Sequence, residues 1–202
     1  MAKRAKIPEP PLPLGMLEWD SVAMGLFSTD ALLKVAPVDP VLLRPVTPGR
    51  YVALFKGDVE SVRAALKRGG EVGEDALVDS LFLPAPHPGI TPALGARTKV
   101  KEIAAVGVME TLSLCSLLLA ADGAAKTGEV GLIEIRLGMG LGGKAFCVLE
   151  GEVAQVEAAV GRGSELARER GQHLRSVVIP APDERLAAAL MDPQAPFSDL
   201  LF

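Results

Sequence analysis

The sequence predicts an α+β protein, an α/β sandwich built from two tandem copies of one domain, each ordered βαββαβ. Three observations carry this. The stretch GRYVALFKGDVESVRAAL, residues 49–66, returns as GKAFCVLEGEVAQVEAAV at 143–160. Within each copy, short apolar runs alternate with segments of helical spacing. The 202 residues suffice for one large domain or two small ones.

The repeat sets the frame. Glu18 aligns with Glu110, a spacing of 92 residues, so that LGMLEWDS (14–21) lies over VGVMETLS (106–113). Asp30 then falls on Asp122, Lys34 on Lys126, Val38 on Val130 and Arg44 on Arg136. Two extra residues near GMGLGG move the spacing to 94, bringing Gly49 onto Gly143 and Gly57 onto Gly151. A second two-residue slip places LPAPH (83–87) over IPAPD (179–183). The expected organisation is a disordered tail at 1–13, a first domain at 14–95, a linker at 96–103, a second domain at 104–190 and a tail at 191–202.

Each element has a local reason. LGMLEW is a short strand of mixed burial. DSVAMGLFSTDALLKVA places apolar residues at 22, 26, 27, 32 and 33, roughly helical spacing, with Asp20 or Ser21 as N-cap. VLLRPV is a strand that stops at the turn TPG, and RYVALFK is the next. Gly57-Asp58 breaks that strand and opens the helix VESVRAALKRGGEV with an acidic residue at its positive end. ALVDSLFLP is the last strand, stopped by Pro84. In the second copy the same order falls at 105–111, 113–127, 130–137, 144–150, 152–170 and 174–180, with a short closing helix expected at 185–190. The order βαββαβ is the ferredoxin-like arrangement, which hosts many functions and decides none.

Composition narrows the classes. A net charge of −4 leaves no electrostatic footprint for nucleic acid. Hydrophobic residues make up 49% but aromatics only 4%, and the mean hydropathy of +0.32 is high for a soluble chain. Such a chain fills an unusually full core or hides surface against partners. The longest apolar run, 111–121, is too short to span a bilayer. The N-terminus MAKRAKIPEPPLPL is basic and then Pro-rich, without an apolar signal core. A cytoplasmic protein is expected, with Cys115 and Cys147 as reduced residues inside apolar segments.

Four paired motifs carry a resemblance to a known family: LGMLE and VGVME opening the copies, DALLK and DGAAK ending the first helices, FKGDVESV and LEGEVAQV after the central hairpins, and LPAPH and VIPAPD closing the last strands. Together they resemble the shell proteins of bacterial microcompartments, in the tandem-domain class, with unpermuted domain order. Single-domain members of that family form flat six-sided hexamers that tile into a shell. The resemblance implies a homotrimer acting as a pseudohexamer, no enzymatic activity, no cofactor, and a place in the microcompartment shell beside hexameric tiles and pentameric vertices. Closed cyclic symmetry then needs only three chains, each supplying two wedges.

The resemblance also points the loop between the second and third strands of each copy at the symmetry axis, lining a pore for metabolites. The residues are Thr47, Pro48 and Gly49 in VTPGR, and Gly140, Leu141, Gly142 and Gly143 in GMGLGGK. Pro48 stiffens the first loop; the glycines free the second. That contrast suggests an adjustable aperture, or glycines that let three loops crowd at an axis. Backbone amides of a Gly-rich loop can also meet an anionic metabolite. A dinucleotide-binding reading of GMGLGG fails, because a strand rather than a helix follows it.

Lys34 and Lys126 occupy the position of the family's tile-edge lysine. Asp30 and Asp122, four residues earlier, are spaced for helical ion pairs with them. Hexamer-type members commonly carry an Arg in the closing Pro-rich motif, where this chain has Ala85 and Ala181, so lateral contacts here need other groups. Some tandem members hold an iron–sulfur cluster through a pore-loop Cys; neither loop here has one, and no metal is expected. His87 and His173 lack a Ser, Cys or Asp partner at recognisable spacing and read as isolated surface residues. Trp19 ends the first strand and is expected at an interface or core edge. The apolar tail APFSDLLF is read as docking on its own domain or holding cargo.

Two rival classes remain. A trimeric ferredoxin-like small-molecule sensor would need a basic or polar pocket cluster between subunits. An enzyme would need an acid–base or nucleophile constellation. The chain shows neither in sequence.

Overall fold

The computed structural model describes residues 10–95, 98, 100, 102–138 and 140–191. The first copy runs β1 (Leu14–Trp19), α1 (Val22–Val35), β2 (Asp39–Val46), β3 (Arg50–Lys56), α2 (Val59–Gly73), a 3-10 turn (Glu74–Ala76) and β4 (Leu77–Leu83). A short helix, α3 (Ile90–Leu94), follows. The second copy runs β5 (Ala105–Thr111), α4 (Leu114–Thr127), β6 (Gly131–Leu137), β7 (Ala145–Gly151), α5 (Val153–Glu169), β8 (His173–Pro180) and α6 (Glu184–Met191). The two antiparallel sheets have orders β2-β3-β1-β4 and β6-β7-β5-β8, so the two copies share one topology.

The caps follow local chemistry. Of the two residues expected to cap α1, Ser21 does so, accepting from the Met24 N–H at 3.3 Å. Its counterpart Ser113 accepts from Ser116 N–H at 3.2 Å, and Asp58 caps α2 through Ser61 N–H at 2.9 Å. β2 begins at Asp39, two residues before the expected start, and contains Pro40 and Pro45. Both are tolerated because β2 is an edge strand and its register shifts between Pro40 and Leu42.

Two departures from the sequence reading matter. The tail was expected to be disordered through Pro13, but the Pro13 carbonyl accepts from Gly57 N–H at 3.2 Å, which pins it beside β1. Residues 1–9 and the C-terminal segment 192–202, with its docking or cargo readings, lie outside the described residues. The helix α3 was not anticipated: five residues containing Pro92 give no helical period. It lies against β6 of the other copy, with Ile90 and Ala93 fully buried.

Three clusters form the core. In the first copy, Leu17, Trp19, Leu32, Tyr51 and Phe55 pack between the sheet and its helices α1 and α2. Trp19 is thus a core residue. The largest cluster joins the two copies: Met16, Val52, Leu54, Leu81 and Leu83 of the first meet Leu114, Leu117 and Leu118 of the second. α4 is therefore covered on two sides, by its own sheet and by that of the first copy. Ten of its 14 residues are buried, against four of 14 in the homologous α1. The third cluster, around Val106, Ile133 and Val148, covers the second sheet in part.

Candidate functional site

The two hairpin loops lie side by side. Thr47 N–H donates to the Gly138 carbonyl at 3.2 Å, and the Thr47 hydroxyl accepts from Gly140 N–H at 3.2 Å. A Cβ on Gly143 would stand 3.0 Å from Pro48 Cδ. The chain thus brings Thr47 and Pro48 of the first loop against Gly140 and Gly143 of the second. Gly49, Gly138, Gly140, Gly142 and Gly143 have φ between 60° and 87°, where L side chains are strained. At Gly49, Gly140 and Gly142 a Cβ would meet nothing within 4 Å. Gly138 and Gly143 instead are buried and crowded by Val46, Leu114 and Pro48. The second loop is therefore anchored at both ends, and its freedom is confined to residues near 140–142.

Between the copies runs a polar seam that sequence reasoning did not predict. Glu18, fully buried on β1, accepts from Leu114 N–H at 3.0 Å, at the start of α4. Arg50 Nη1 binds the other carboxylate oxygen at 2.6 Å and approaches the Leu112 carbonyl. Burial pushes the Glu18 carboxyl above its ordinary value, against the pull of Arg50 and of the Leu114 amide. Asp79 on β4 accepts from Ser113, Ser116 and Arg170, and Arg170 also reaches the Ser80 carbonyl at 3.0 Å. The sequence carried one hint: Glu18 and Glu110 anchor the repeat alignment.

The two Asp–Lys pairs sit differently. Lys34 pairs with Asp30 at 2.5 Å, with side chains 74% and 58% exposed. Lys126 pairs with Asp122 at 2.5 Å, 45% exposed, and also donates to the Ala85 carbonyl at 2.6 Å. Asp122 accepts from His87 N–H at 2.7 Å. The second pair thus holds the closing Pro-rich segment of the first copy onto α4. The first pair has no such segment to hold within one chain.

That asymmetry extends to apolar positions. Leu118 of α4 is 0% exposed, while its counterpart Leu26 on α1 is 53% exposed. Leu81 of β4 is 6% exposed, while its counterpart Val177 on β8 is 44% exposed. Each half of the seam recurs, only partly covered, at one end of the chain.

Cys115 and Cys147 are free and fully buried on α4 and β7. Burial pushes the Cys147 thiol up to about 12 and the Cys115 thiol well above its ordinary value. Among the described residues, no three His, Cys, Asp or Glu side chains are grouped to hold a metal ion, and no helix is long and apolar enough to cross a membrane.

Comparisons with known proteins give this architecture its relatives. The BMC domain family model matches residues 13–86 and again 105–182. The chain is 38% identical over 173 residues to the bacterial microcompartment shell protein PduT of Citrobacter freundii, covering 86% of this chain and 94% of that one. It is 27% identical to the carboxysome assembly protein CcmO of Synechococcus elongatus, covering 90% of this chain and 70% of that one. The crystal structure of a microcompartment protein from Desulfitobacterium hafniense superposes with a TM-score of 0.80 at 44% identity, covering 87% of this chain and 98% of that one. Two repeats of one topology, each matched by the family model, show that the chain belongs to the BMC-domain family and carries two such domains in tandem.

Proposed function

We propose that three copies of this chain close into a six-sided, pseudohexameric tile of a microcompartment shell, with a central pore for metabolites. The coarser role, a structural component of such a shell, follows from membership of the family. The observation that supports the ring is the head-to-tail seam. The first copy offers its sheet and the second offers α4, so each chain keeps one unused sheet face and one unused helix face. Repeating a heterologous contact generates a ring when the rotation closes and a filament when it does not. The tile acts by packing and by the chemistry of its pore rim, without catalysis, and it assembles with other shell proteins through edges that include Lys34 and Lys126.

On this reading the rim alternates between the Thr47-Pro48-Gly49 turn and the Gly140-Leu141-Gly142 segment. Gly49, Gly140 and Gly142 present bare backbone to open space, so polar metabolites meet amides and carbonyls there. The test is the native mass of the purified chain together with negative-stain images. Three chain masses and six-sided discs or tiled sheets support the tile. A monomer, or a compact trimer without a central hole, overturns it. Gly142→Trp should then alter metabolite passage through assembled shells while leaving the native mass unchanged.

A further inference from the structure

The two halves of the seam are homologous in shape and keep the charges of Glu18 and Arg50 in Glu110 and Lys144, but they are reversed in charge at one contact. Within the chain, that contact is acidic on the sheet side: Asp79 of β4 faces Arg170, which follows α5. The strand registers place Asp79 opposite Glu18 and Arg175 opposite Glu110, so the position of Asp79 is taken by Arg175 in the second copy. Lys144 there takes the position of Arg50. On the helix side, the corner after α2 carries Glu74 and Asp75 where the corner after α5 carries Arg170. The residue ahead of the cap Ser21 is Asp20, whose amide bonds the Ala76 carbonyl at 2.9 Å and so flanks the same corner. Arg175, Lys144, Asp20, Glu74 and Asp75 are all exposed, and none forms an ion pair among the described residues.

From this we infer that the open sheet of the second copy binds the first copy of another chain through a charge-reversed seam, with Arg175 received by Glu74 and Asp75. The inference rests on the ring reading and deepens it. The occupant is a second copy of this chain, because the open face continues a seam whose other version is already closed within the chain, and because both its apolar and its charged positions are complementary. The reversal also excludes the wrong neighbours. Two first copies would set Asp79 against Glu74 and Asp75; two second copies would set Arg175 against Arg170. Like charges brought together at an interface are strongly unfavourable. Alternation of the two domains around the ring is thus written into five residues, Asp79, Arg170, Arg175, Glu74 and Asp75.

The test is charge reversal followed by sedimentation velocity over a dilution series, with far-UV circular dichroism to establish that each variant folds. Arg175→Glu should raise the concentration at which the oligomer dissociates by about tenfold or more. The paired change Glu74→Lys with Asp75→Lys should do the same. Combining all three should restore assembly to within a few-fold of the parent chain. If the parent is a trimer and Arg175→Glu assembles unchanged, or the combination is no better than its parts, the charge-reversed seam is wrong and the ring stands. If the parent itself stays monomeric, the ring reading falls, and this inference with it.

Discussion

Glu18 and Leu114 lie 96 residues apart in the chain, and the buried carboxylate of the first accepts the backbone N–H of the second at 3.0 Å. That one bond fastens the central strand of the first domain to the N-terminus of the first helix of the second, where the helix dipole favours a negative charge. Arg50 closes the arrangement from the other side at 2.6 Å.

Removing the carboxylate should loosen the whole chain. Glu18→Ala leaves the Leu114 amide and the Arg50 guanidinium without their acceptor in a largely dry seam. The expected loss is about 2–3 kcal/mol in urea unfolding, toward the low end for a broken buried pair because Arg50 retains some exposure. Unchanged stability would show that the seam contributes little.

The same residue sets a pH dependence. Its folded pKa lies above the ordinary 4.5. A raised carboxyl contributes stability that is fully present below the unfolded value and is lost as pH rises through the folded one. Relative to Glu18→Gln, which does not titrate, the parent chain should therefore gain stability as pH falls toward 4.5. A parent that loses stability relative to Glu18→Gln over that window would reverse the assignment.

Two glycines of α5 should respond oppositely to alanine. At Gly163 a Cβ would sit 2.5 Å from Met109 Sδ and 2.7 Å from the Ala120 carbonyl of α4. The backbone carbonyl cannot move cheaply, so Gly163→Ala should cost about 1–3 kcal/mol despite alanine's better helix propensity. At Gly161 nothing lies within 4 Å, and Gly161→Ala should gain about 0.5–1 kcal/mol. Thermal unfolding of the pair is the check.

Both thiols should be silent toward alkylating reagents in the folded protein at pH 8. The thiolate is the nucleophile, and the Cys147 thiol is held at about 12 with Cys115 also well raised. Mass spectrometry should find both labelled in denaturant. Rapid labelling of the native chain would mean that α4 or β7 opens.

Lys34 and Lys126, related by the repeat, should separate under alanine substitution. Lys34→Ala removes an exposed pair of little worth and should change stability by less than about 0.5 kcal/mol. Lys126→Ala also abandons the Ala85 carbonyl and should cost about 1 kcal/mol. Both are expected to weaken assembly into sheets seen by electron microscopy. Sheets from Lys34→Ala that match the parent would remove it from the tile edge.

Much of the fold was legible because it is written locally and twice. The strand RYVALFK was bounded residue for residue as β3, since Gly49 and Gly57 punctuate it on both sides. The two hairpin turns were legible through their glycines, whose positive φ is a backbone requirement that other residues meet poorly. The short helix α3 was not legible, because it forms against β6 of the other copy rather than from its own period.

By itself the sequence determined that there are two like domains, their element order and the composition of the loops between the central strands. Periodicity, capping and repetition act over a few residues at a time. Only the tertiary structure decided which faces those domains bury in each other. Asp30 and Asp122 share one motif, yet the first is exposed and the second is buried against the His87 amide. The difference lies in what packs across from each, and contacts between residues so far apart in the chain leave no local pattern to read.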